Sequence, residues 1–160
     1  MKHLIAFITI SLLVGCSVDN SDSVSHSYTE EQVGAYGVTL EAGSNNMWVS
    51  FPEIVSIYES TMTCLGMTAD GPTVTFKSTN AWLGEGFNAW GYYMANGKLV
   101  IVNTDEQKGV GFPDRNKDID TQVLKHEFIH HILYMNGEPH GDSQSPEMFA
   151  RCGQGVNVNN

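Results

Sequence analysis

The chain is short of positive charge, with 8 Lys and Arg against 18 Asp and Glu over 160 residues, a formal net charge of -10. A nucleic-acid partner demands a basic face, and anionic lipid headgroups attract basic clusters, so this balance argues against both. Charged residues of either sign make up only 16% while apolar ones reach 41%. That excludes a disordered polyelectrolyte and leaves enough apolar surface for one packed domain. Three cysteines are too few for a disulfide-built miniprotein. There is no internal repeat at a solenoid or propeller period. Nor is there a long membrane-spanning run: the almost unbroken apolar stretch Leu4–Val14, at ~1.5 Å per residue, covers only about half of a ~30 Å hydrocarbon core.

That stretch has the length of a signal-peptide apolar region, behind the basic start Met1-Lys2-His3. It runs into Leu13-Val14-Gly15-Cys16, which resembles the lipobox of bacterial lipoproteins. The resemblance implies a signal peptide over residues 1–15, diacylglycerol on the Cys16 thiol and an acylated new amino terminus. Several acyl chains anchor stably, at about 0.8 kcal/mol per buried CH₂. Ser17 rather than Asp follows the cysteine; in Gram-negative lipoproteins that implies transfer to the outer membrane, hence a lipid-anchored envelope location. Residues 16–35 are rich in Ser and acids and poor in apolar residues, which predicts a flexible tether, with His26 a solvated part of it. The domain is expected over 36–160.

Within the domain, Pro52-Glu53 opens a helix carrying Ile54, Ile57, Tyr58 and Met62, closed by Gly66. Val74–Lys77 reads as a strand. Tyr92–Met94 and Leu99–Val102 flank Asn96-Gly97, a strong hairpin signal. Asn80 to Asn88 and 103–118 read as loops. The second loop holds Asp114-x-Asn116-x-Asp118-x-Asp120, superficially like a calcium loop, but Ile119 stands where Gly is needed and Lys125 where the closing Glu belongs. Asp118 or Asp120 is read instead as the cap of a helix over 120–136, with Val123, Leu124, Phe128, Ile132 and Leu133 inward and Gly137 beyond its end. Ser145-Pro146-Glu147 starts a short last helix through Cys152. This order is not βαβ alternation and predicts an α+β fold: an amino-terminal helix, a small mostly antiparallel sheet with a hairpin, a long helix and a short one.

The chemistry sits at His126-Glu127-Phe128-Ile129-His130. Histidines four apart on a helix lie on one face and reach one ion, while the Glu beside that face can hold a water. The motif and the element order resemble those of the zincin metallopeptidases. The resemblance implies one Zn²⁺ per chain, His126 and His130 as ligands, Glu127 as general base, and a peptide or protein as substrate. The spacing to a third ligand departs from the metzincins, because Asn136 stands where their last His would be. Gly137-Glu138-Pro139-His140 repeats a Gly-x-x-His ending about one turn later. The helix climbs about 9 Å beyond His130, and three extended residues can return about 10 Å. His140 is therefore within reach, and His140-Gly141 is loosely similar to the third-His arrangement of SprT-like peptidases. Glu147, which would imitate the gluzincins, and Asp142 are the rival ligands.

His131 points about 100° from His130 and reads as packing or surface. Tyr134 is read as a core residue or as lining the cleft, and Trp48, Trp82 and Trp90 as anchors. With Cys16 used for lipid, Cys64 and Cys152 form an even pair, which suggests a disulfide outside the cytoplasm. The expected function is a membrane-anchored zinc peptidase. The alternative is a non-catalytic lipoprotein that uses zinc only for stability.

Overall fold

In the computed structural model, which describes residues 25–77, 91–102 and 116–153, helix α1 (Phe51–Leu65) begins where Ser50 and Glu53 cap it. The Ser50 amide and hydroxyl both donate to the Glu53 carboxylate, at 2.7 and 2.8 Å. Pro52 sits in the first turn, where no amide is needed, and Gly66 ends the helix in the left-handed conformation. Ile54, Tyr58, Met62 and Leu65 form its buried face. The long helix α2 (Lys117–Met135) starts earlier than its apolar pattern suggests. Its cap is Asn116, whose side chain accepts from the Ile119 amide at 3.0 Å, and not Asp118 or Asp120. Asp120 is fully buried and accepts from the Trp48 amide at 2.9 Å, tying the first turn of α2 to the segment before α1. Gly137, at φ +71°, reverses the chain beyond α2, and α3 (Pro146–Cys152) follows.

The sheet contains β1 (Gln32–Val33), β2 (Thr39–Leu40), β3 (Thr73–Lys77), β4 (Gly91–Met94) and β5 (Lys98–Val102), in the order β1-β2-β3-β5-β4. The fold is a small α+β domain, as expected, but the sheet is mixed rather than mostly antiparallel. β2 and β5 both run parallel to β3, while β1–β2 and the β4–β5 hairpin are antiparallel. The hairpin signal at Asn96-Gly97 is local; the insertion of β5 between β3 and β4 is a long-range pairing that no local signal announces.

Two short strands precede α1, so the first helix is not the first element. Residues 26–35 are also more than a tether. His26 exchanges backbone hydrogen bonds with Met47 at 2.7 and 3.0 Å, and the Tyr28 hydroxyl accepts from the Phe51 amide. Composition underestimates such a segment because its attachment is mostly main-chain.

α2 packs on β4 and β5 and along α1, with α3 against both helices. The Tyr58 and Phe128 rings meet edge to face at 5.0 Å in the centre of the core. The Tyr58 hydroxyl is satisfied by the carbonyls of Ala69 and Asp70. Truncation of a buried aromatic such as Phe128 costs about 3–5 kcal/mol. Cys64 at the end of α1 and Cys152 at the end of α3 form a disulfide, with Cα atoms 5.7 Å apart and a sequence separation of 88. By the chain-entropy argument a loop of that size contributes about 4–5 kcal/mol, and usually less in practice. Cys16 and the lipobox, Trp82 and Trp90, and the Asp114 loop lie outside the described residues. Among the described residues no helix is long and apolar enough to cross a membrane.

Candidate metal centre

Helical geometry brings the Nε2 atoms of His126 and His130 to 3.2 Å from each other. A third donor joins them from the loop after α2. Asp142 Oδ1 lies 3.4 Å from His126 Nε2 and 3.1 Å from His130 Nε2. This His126–His130–Asp142 group could hold a metal ion. Its three edges fit: tetrahedral ligands at 2.0–2.2 Å stand roughly 3.3–3.6 Å apart, and the observed edges are at or slightly under that. Three lone-pair-bearing atoms this close repel one another unless a cation or a shared proton lies among them.

The ring orientation of His130 is fixed from behind. Its Nδ1–H donates to the His140 carbonyl in a short hydrogen bond, which leaves Nε2 free to coordinate. Burial holds both imidazoles below their ordinary range. For His126 the charge of His130 adds to this and Asp142 opposes it; for His130 the hydrogen bond to His140 opposes it. Both are therefore neutral near pH 7, the form that binds metals. The Phe149 ring of α3 covers the pair, with centroids 4.9 Å from His126 and 4.7 Å from His130. The side chains of the two histidines are each 17% exposed and that of Asp142 56%, so the site opens to solvent on the Asp142 side.

Glu127 is 4% exposed and faces β4. A Cβ on Gly91 would come within 3.0 Å of its Cγ and Oε1, so only glycine leaves room for this carboxyl group. Its Oε2 has no hydrogen-bond partner among the described residues. Burial first, and the negative charge of Asp142 second, push the carboxyl group up to about 8. A buried carboxyl oxygen without a hydrogen-bond partner, beside a group of possible metal ligands, is costly to keep.

The third donor atom beside the histidine pair is thus that of Asp142, one of the two expected rivals, and not the His140 ring. Gly137 does turn the chain back as expected, but it brings the His140 carbonyl, not its ring, to His130. The ring packs against Tyr134 at 5.3 Å and Tyr93 at 6.5 Å. The next turn presents Asp142. Glu147 is exposed and outside the group. Tyr134, 40% exposed, lines the His140 side of the site rather than the core. His131 packs inside, the first of the two readings, packing or surface, that its angle on the helix left open. It is buried against Tyr58 and Tyr93, with Nε2 donating to the Asp70 carbonyl at 2.7 Å. Phe149 carried no signal in the sequence beyond its place in a short helix.

Comparison of the chain with known protein families, with curated proteins and with solved structures found no match.

Proposed function

We propose that this chain is a zinc-dependent peptidase, held at a bacterial cell envelope by lipid on Cys16. The observation that carries the reading is the meeting of His126, His130 and Asp142 beside a buried, unpartnered Glu127. A structural zinc site is closed by four protein ligands, whereas three donors and a solvent-open side suit catalysis. Zinc, when bound, would polarise a carbonyl and lower the pKa of a water toward about 7. The protein's own groups divide the remaining work. The His140 carbonyl keeps His130 in the tautomer that leaves Nε2 free. Phe149 walls off one side of the two imidazoles. Glu127 takes a proton from the attacking water and returns it to the leaving amine, and a carboxyl group poised near neutrality can do both.

The test is cleavage of a quenched-peptide library by the purified chain. Activity that disappears with a zinc chelator and returns on adding zinc is expected. A protein that binds zinc stoichiometrically and cuts no peptide would instead be the non-catalytic, zinc-stabilised lipoprotein.

A further inference from the structure

Among the described residues, β4 backs the site with Gly91 and Tyr93, and the groups that complete it over the α2 histidines come from one segment, 137–153. It supplies the His140 carbonyl on His130, the Asp142 carboxylate and the Phe149 ring. Its start is fixed by α2 itself. Its far end is α3, a helix of 7 residues whose Ser145 cap makes no side-chain hydrogen bond to the helix amides. So short a helix does not persist without tertiary packing. Its one buried residue is Cys152, the partner of Cys64 on α1. Met148 and Phe149 pack against the core beside it, and the disulfide is the covalent tie between this segment and the helical body that carries His126 and His130.

We propose that the Cys64–Cys152 disulfide is a positioning element of the metal centre, so that metal affinity depends on the thiol–disulfide state of this pair. The inference rests on the metal-centre reading and adds its regulation. The sulfurs can be reached: Cys64 is exposed, and a cavity of about 250 Å³ between the helices is lined by both cysteines with Ser60, Thr61, Lys125 and Arg151. A small dithiol attacks there as thiolate. Two successive exchanges break the Cys64–Cys152 bond, leave two protein thiols that carry the dithiol's two protons, and convert the reductant into its own disulfide. The released segment loses its anchor, and Asp142 and Phe149 are no longer held over the histidine pair. Lys125 and Arg151 line the same cavity, and positive charge there favours an incoming thiol as its thiolate.

The experiment compares the full chain with a Cys64→Ser/Cys152→Ser double variant, using Co²⁺ as the probe. Affinity is read by competition with a chromogenic chelator, and coordination by the visible absorption of bound Co²⁺. The variant should bind about 10–100-fold more weakly, the range found when outer-shell supports of a metal ligand are lost. Its spectrum should move toward that of an Asp142→Ala protein, while far-UV circular dichroism stays native. Wild-type protein reduced with a phosphine and then freed of it should behave like the variant and recover both affinity and spectrum on reoxidation. Unchanged affinity and spectrum overturn the inference. So does global unfolding of both the variant and the reduced protein, because the effect would then not be local to the site. A wild-type chain that takes up no Co²⁺ at all overturns the metal-centre reading itself.

Discussion

Glu127→Gln is expected to leave the metal in place and to lower peptide cleavage by roughly 10²–10⁴-fold, the usual contribution of a positioned acid–base group. Gln has the same shape, so it fits the slot beside Gly91, where an added Cβ would meet the Glu127 side chain within 3.0 Å. What it lacks is a carboxylate that can gain and lose a proton. Burial and the Asp142 charge raise the Glu127 carboxyl group to about 8. A bound cation lowers it again, since positive charge nearby favours the carboxylate. The check is kcat/KM on a cleaved peptide together with metal content by elemental analysis. A variant as active as wild type would remove Glu127 from the chemistry, and a variant without metal would make it a ligand or a structural support.

The second large effect separates Asp142 from His140. Asp142→Ala removes one of three donors and the only negative charge among them, and it should weaken zinc binding by more than the ~10–100-fold typical of outer-shell changes. His140→Ala should retain the metal. The contact that His140 makes with the ligand set is its carbonyl on His130 Nδ1, and a substitution leaves that main-chain group present. Its ring packs on Tyr134 and Tyr93, so its loss should loosen the loop and weaken binding only modestly. Competition with a chromogenic chelator measures both variants. If His140→Ala loses zinc while Asp142→Ala keeps it, the loop binds in the other arrangement, with the imidazole as ligand.

How legible the site was depended on how local its parts are. His126 and His130 belong to one helix, and a spacing of four fixes their mutual position before anything else is known. The buried face of α2 was equally readable: Val123, Leu124, Phe128, Ile132 and Leu133 are all in the core. The third donor depended on a return loop. Chain reach limited it to the residues just past Gly137, but reach constrains Cα positions and does not say whether a carbonyl or a side chain is presented. At His140 the main chain is used, and at Asp142 the side chain. Glu127 could be named from the motif, whereas the reason for its slot, Gly91 on a neighbouring strand, is a tertiary contact. The sheet follows the same rule. The β4–β5 hairpin was announced by its turn, while the parallel pairings of β3 with β2 and β5 join residues far apart in sequence. The docking of residues 26–35 was hidden because it relies on backbone hydrogen bonds, to which composition is blind.

The proposed centre holds one metal on two imidazoles and one carboxylate. X-ray absorption at the zinc edge of the zinc-loaded, oxidised full chain tests it most directly. One zinc per chain is expected, with a first shell of two imidazole nitrogens and light oxygen ligands from Asp142 and solvent, and with the carboxylate contribution lost in Asp142→Ala. A first shell of three imidazoles, or a chain that holds no stoichiometric zinc, would contradict it.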